Sequence, residues 1–267
     1  KIDHDLGIPL EDEYFYEEPA EIGQKNISST DSSVQLLQDL SAPGKKKVLQ
    51  TDVLIIGAGI SGMQAALDIA DKGYQVTIIE KTSTIGGSMV KLDKTFPTND
   101  CSICTAAPKM VELSRHPNIT LLTYAEINHL KGDKGNFIAQ IWKKSKYVDP
   151  DKCTCCGDCT DVCPVDVPNK FNEGLSTRKA IYLPTEIAVP HSFVLDTDSC
   201  LGLLPLACSK CRDVCDAEAV NYDLYPQEVS FTVDTIIVAT GYDIFDAKKK
   251  PVFGYGKYPN VINGLEM

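Results

Sequence analysis

Asp52-Val-Leu-Ile-Ile-Gly-Ala-Gly-Ile-Ser-Gly62 is the stretch on which the fold turns. Its apolar run Val53–Ile56 has the length of a buried strand. Gly57-Ala58-Gly59-Ile60-Ser61-Gly62 fits G-x-G-x-x-G, and Ser61–Lys72 carries apolar residues at helical spacing. A second strand, Tyr74–Ile79, ends in Glu80, eighteen residues past Gly62. Strand, glycine turn, helix, strand and acid, in that order, predict a βαβ dinucleotide-binding unit. Gly57 permits the tight turn, Gly59 lets backbone approach a pyrophosphate, and Gly62 lets the helix pack close to the strand. The helix start, with Ile60 and Ser61, offers unpaired N–H groups and a positive dipole end to phosphate. Glu80, followed by Lys81, is placed to accept hydrogen bonds from ribose hydroxyls.

Two features favour FAD over NAD. Gly86-Gly87 follows Glu80 by six residues, as in two-dinucleotide flavoproteins. The strand Thr235–Thr240, closing on Ala239-Thr240-Gly241, is similar to the strand by which such folds return to the flavin. No second G-x-G-x-x-G occurs: Gly254-Tyr-Gly256 has neither the following glycine nor a preceding strand. The chain therefore shows no nicotinamide site of its own.

Composition narrows the rest. The 267 residues carry a net charge of −11, which argues against nucleic-acid binding. No stretch approaches the ~18–20 apolar residues of a membrane span, and the polar start Lys1–Asp5 predicts no signal peptide. Eleven cysteines, nine of them between Cys153 and Cys215, read as metal ligation in a reducing, cytoplasmic compartment rather than as disulfides. The four histidines lack metal spacing.

Cys153-x2-Cys156-x2-Cys159-x3-Cys163-Pro164 is the bacterial ferredoxin run. A second run, Cys200-x7-Cys208-x2-Cys211-x3-Cys215, departs from it by the insertion Leu201–Ala207 and by Asp216 in place of proline. In such paired runs the fourth cysteine ligates the other cluster. That rule predicts one [4Fe–4S] cluster on Cys153, Cys156, Cys159 and Cys215, and another on Cys200, Cys208, Cys211 and Cys163. The insertion leaves Cys200 the weakest assignment, and Cys155 reads as a bystander thiol. Cys101-x2-Cys104 lies apart from this block. It reads as two ligands of a third [4Fe–4S] cluster completed by a partner chain; a redox disulfide or structural thiols are the alternatives.

The coarse reading places an extended arm at 1–50, a solvated tail or a strap over a partner protein, with a short helix at Val34–Leu40. A helix is expected at Ala107–His116, with Pro108 in its first turn. Strands are expected at Ile119–Leu122, Tyr124–Leu130, Asn136–Trp142 and Glu228–Val233. The fold class is α/β: an FAD-binding, Rossmann-like domain over 51–146 and 226–267, discontinuous and incomplete, with an inserted α+β two-cluster ferredoxin module over 147–225.

The string Gly57–Gly62, Glu80, Gly86-Gly87, Leu92–Cys104 and Pro108–Val111 resembles the HdrA family, the iron-sulfur flavoprotein subunits of heterodisulfide reductase. So do Cys153–Pro164, Asn169–Leu175 and Tyr255–Leu265. The resemblance covers roughly 50–267 and implies a thioredoxin-reductase-like flavin domain. It also implies flavin-based electron bifurcation or confurcation between a hydrogenase or formate dehydrogenase module, ferredoxin and a disulfide-reducing subunit. Related flavin subunits serve benzoyl-CoA reductase and quinone-interacting complexes. Against the family the arm is short, and the chain ends near where a second domain is expected to begin. It therefore reads as a short or split form, completed by another flavoprotein fragment. Lys91 and Lys94 read as surface lysines, the alternative being that one of them places positive charge near the reduced flavin. The competing reading is a wiring and docking module whose partner holds the catalytic flavin.

Overall fold

The computed structural model describes residues 48–203 and 207–266; the arm up to residue 47, with the helix expected at Val34–Leu40, lies outside the described residues. Strand β1 runs Val48–Ile56, helix α1 Ile60–Ala70 and strand β2 Val76–Glu80. Helix α2 spans Ser102–Arg115 and strand β3 Ile119–Thr123. β4 (Ala125–Asp133) and β5 (Asn136–Lys143) form a hairpin. The cysteine-rich segment follows, and the chain then returns as β10, Gln227–Val238.

These strands make one sheet in the order β3-β2-β1-β10-β5-β4. β3, β2, β1 and β10 are parallel, whereas β5 and β4 are antiparallel to their neighbours. β2 is buried along its whole length, as a central parallel strand with both faces covered should be. Helices α1 and α2 cover one face through Met63, Ala66, Leu67, Ala106, Met110 and Leu113. The opposite face buries alternate residues of the same strands, among them Leu54, Ile79, Ile141, Phe231 and Val233. Tyr124 alone, at φ 60°, separates β3 from β4, which lie at opposite edges of the sheet. The sheet therefore curls enough for the end of β3 to reach the start of β4.

Three expectations are corrected here. The segments Glu228–Val233 and Thr235–Thr240 are joined in one twelve-residue strand that ends at Val238, because the register with β1 runs on past the exposed Asp234. Helix α2 begins five residues before Ala107, so Pro108 lies inside it rather than in its first turn. Val48–Gln50, read as the end of the arm, pair with Ser230–Thr232 as the first residues of β1.

The cysteine-rich segment is a module strung between β5 and β10. Its ends meet where Asp149 N–H donates to the Ala219 carbonyl (2.8 Å) and Asn221 N–H to the Tyr147 carbonyl (3.0 Å). Inside are short helices α3 (Asp158–Asp161) and α4 (Lys210–Asp213) and the hairpins β6–β7 (Asp166–Pro168, Thr177–Lys179) and β8–β9 (Ile181–Tyr182, Val194–Leu195). Its small core joins Val148, Ile181, Phe193, Leu195 and Val220 with the cysteines themselves. Arg178 pairs with Asp196 at 2.7 Å and stacks on Tyr182. Phe171, Ile187 and Val189 pack onto the core beneath α1 and α2, so the module is seated on the sheet domain.

Candidate functional site: a glycine cradle beside two cysteine cavities

The glycine turn lies at the carboxyl ends of β1 and β10, where α1 leaves on one side and β10 arrives on the other. In open α/β sheets ligands bind at this switch point. Gly57 has φ 103°, and a Cβ there would collide with the Ala239 carbonyl. A Cβ on Gly62 would collide with the Gly57 carbonyl, whereas Gly59 faces open space apart from Gly87 Cα at 4.0 Å. Gly59 supplies no capping side chain to α1, so the first-turn N–H groups at Ile60, Ser61 and Gly62 are presented to a ligand. Gly86 N–H donates to the Ala58 carbonyl (2.8 Å), which lays Gly86-Gly87 against the turn. Thr240 and Gly241 follow β10 after Ala239 and are exposed beside it.

Glu80 is buried, and both its oxygens are already engaged. Oε2 accepts from Ala58 N–H (2.9 Å), and Oε1 accepts from Thr82 N–H and Oγ1 (2.9 Å each). The carboxylate thus braces the glycine turn, and its remaining lone pairs are what a ribose could use. Lys81 beside it is exposed. Lys91 is turned to the module, 3.8 Å from Glu173 and donating to the Lys170 carbonyl at 3.5 Å; Lys94 is exposed. The cradle fits a dinucleotide: backbone donors, room at Gly59 and a braced acid.

The cysteines gather in two groups. Cys153, Cys156, Cys159 and Cys215, with Cys155, line a recess that is partly open to solvent. Cys163, Cys200, Cys208 and Cys211 line another. Cys200 thus sits with its three expected partners despite the insertion. Among the described residues no three Cys, His, Asp or Glu side chains converge on a point that would hold a single ion. The thiols instead surround a volume, which suits a polynuclear cluster better than one tetrahedral zinc. Burial pushes the Cys159 thiol up to about 12, with nearby thiols adding to it, and raises Cys200 and Cys211 too. Bare thiolates are disfavoured in such recesses, and cationic iron is what would offset that cost. Cys155, at φ 57°, donates to the His191 carbonyl at 3.4 Å, as a thiol outside the ligand set can.

Cys101 and Cys104 differ from expectation. They are exposed and joined as a disulfide, Cα–Cα 5.2 Å, at the start of α2. The Cys101 sulfur caps that helix by accepting from Cys104 N–H at 3.2 Å. Helical geometry brings a C-x-x-C pair within disulfide reach, and in this state neither sulfur can bind iron.

The spacing did not foretell how cradle and module are tied. Thr84 Oγ1 accepts from Val189 N–H (2.9 Å), Ile85 N–H donates to the Val189 carbonyl (3.2 Å), and the Lys146 ammonium donates to the Ser83 carbonyl (3.0 Å). The partners are up to 105 residues apart, and no local pattern announces such contacts.

The FAD dependent oxidoreductase family matches residues 52–100, the cradle itself. The CoB–CoM heterodisulfide reductase iron-sulfur protein HdrA of Methanocaldococcus jannaschii is 50% identical over 224 residues, 83% of this chain and 33% of that protein. The HdrA component of the ferredoxin:CoB–CoM heterodisulfide reductase of Methanosarcina mazei is 44% identical over 237 residues, 88% of this chain and 29% of that one. This chain belongs to the HdrA family. It spans about a third of the length of the curated HdrA relatives it matches. Thioredoxin reductase of T. acidophilum is similar over 34% of this chain and 31% of its own, at 22% identity and a TM-score of 0.30.

Proposed function

We propose that this chain is the FAD- and [4Fe–4S]-binding electron-transfer part of a heterodisulfide-reductase-like complex. In this reading it works in the cytoplasm by electron bifurcation or confurcation between a two-electron donor module, ferredoxin and a disulfide-reducing subunit. One observation carries the proposal: the glycine cradle and two four-cysteine recesses belong to one seated unit, tied through Thr84, Ile85 and Val189. FAD, when bound, supplies exchange between electron pairs and single electrons. The α1 start and Gly59 would hold its pyrophosphate, and Glu80 would orient the ribose while bracing the turn.

The chain's own path suggests the order of the relay. Val189 is bonded to Ile85, the neighbour of Gly86; two residues on, the His191 carbonyl meets Cys155, and Phe193 lines the first recess. In this reading the Cys153/Cys156/Cys159/Cys215 set is the nearer to the cradle and the Cys163/Cys200/Cys208/Cys211 set the farther. When reduced, Cys101 and Cys104 supply two ligands to a third cluster shared with a partner.

The test is anaerobic purification of the chain with its natural partners, followed by flavin and iron analysis. About eight iron atoms per chain fit two cubanes, and about twelve fit a third at Cys101 and Cys104. Absence of FAD from the intact complex would overturn the proposal in favour of a wiring and docking module.

A further inference from the structure

We propose that Tyr222 tunes the second cysteine set, its phenol donating to the Cys211 sulfur so that a cluster bound there has the higher reduction potential of the pair. The inference rests on the reading that each set holds a [4Fe–4S] cluster.

The phenol oxygen of Tyr222 lies 3.0 Å from Cys211 Sγ. An iron-bound thiolate carries no proton, so Tyr222 is then the only possible donor of the two. The contact is built into the module. Gly202 leaves room for the phenol: a Cβ there would lie 3.1 Å from the hydroxyl and would collide with the Cys208 carbonyl. The guanidinium of Arg212 stands 5.4 Å from the ring centre. The same Gly202 donates its N–H to Cys200 Sγ at 3.2 Å, which gives this set a second hydrogen bond.

The first set is treated differently. Its sulfurs receive a longer bond from Ala219 N–H to Cys215 Sγ (3.4 Å) and, among the described residues, no hydroxyl donor. Charge runs the same way, since Lys210 lines the second recess and Asp158 the first. Reduction adds negative charge, which donors and cations stabilise and carboxylates oppose. Electrons entering from the cradle side would therefore pass downhill from the first set to the second.

The experiment is a redox titration followed by electron paramagnetic resonance, on the intact chain purified anaerobically with its clusters. Tyr222→Phe keeps the ring and removes the donor. Iron content should be unchanged, and one midpoint should fall by about tenfold in its equilibrium constant, ~59 mV for a one-electron couple, while the other stays. Asp158→Asn should instead raise the other midpoint. Unmoved midpoints, equal movement of both, or iron loss from Tyr222→Phe would overturn the inference. A wild-type chain without iron would overturn the cluster reading beneath it, which is a separate outcome.

Discussion

Glu80 braces the glycine turn through Ala58 N–H before it can serve any ribose. Two of its three bonds come from backbone donors held by the fold, so removing its charge weakens turn and ligand together. Glu80→Gln should lower FAD affinity by roughly tenfold, the value of a charge-assisted bond made neutral, as read by fluorescence titration with FAD. Lys146 offers a second residue-scale test. Burial, with Lys143 beside it, lowers this lysine from 10.5 to about 7. Folded protein then binds fewer protons than unfolded protein between about pH 7 and 10, so stability rises with pH across that window. The melting temperature should climb from pH 7 to pH 9, and the climb should shrink in Lys146→Met. An equal climb in both would show that Lys146 does not titrate there. At this scale the glycines and the paired cysteine runs were legible, because their chemistry is local. The Cys101 cap was not, because sulfur is an uncommon cap and the helix was expected to begin only at Ala107.

Among the elements, β10 holds the molecule together. It pairs with β1 on one side and β5 on the other, and it delivers Ala239–Gly241 to the cradle. Phe231 on it is 3% exposed in the core of the sheet's second face. Phe231→Ala should cost about 3–5 kcal/mol by chemical denaturation; a loss below ~1 kcal/mol would mean that this face is loosely packed. In the module the Arg178–Asp196 pair is nearly shut off from water, at 10% and 12% side-chain exposure. Arg178→Met should destabilise it by about 3–5 kcal/mol, because the largely shielded Asp196 carboxylate loses its ion-pair partner and keeps only the Asp198 N–H at 3.2 Å. Parallel strands and α1 could be read from periodicity. The union of two short strands into β10 could not, because Asp234 looks like a break when the ladder that carries it past is unseen.

On the scale of the whole molecule, a nucleotide cradle and a cysteine module share one interface. The sequence announced both parts in separate stretches, and the split of eight cysteines into two sets followed from spacing. Their attachment rests on Thr84 meeting Val189 across 105 residues, a contact that depends on the curled sheet and the seated module together. Lys91, read as a surface lysine or a charge for the flavin, reaches Glu173 of the module, so that charge belongs to the joint as well. No helix among the described residues is long and apolar enough to cross a membrane. The most direct test of this account is the iron, zinc and flavin content of the anaerobically purified complex, measured per copy of this chain. The account predicts one FAD, at least about eight iron atoms with matching sulfide, and no stoichiometric zinc. Zinc in place of iron, or iron without flavin, would contradict it.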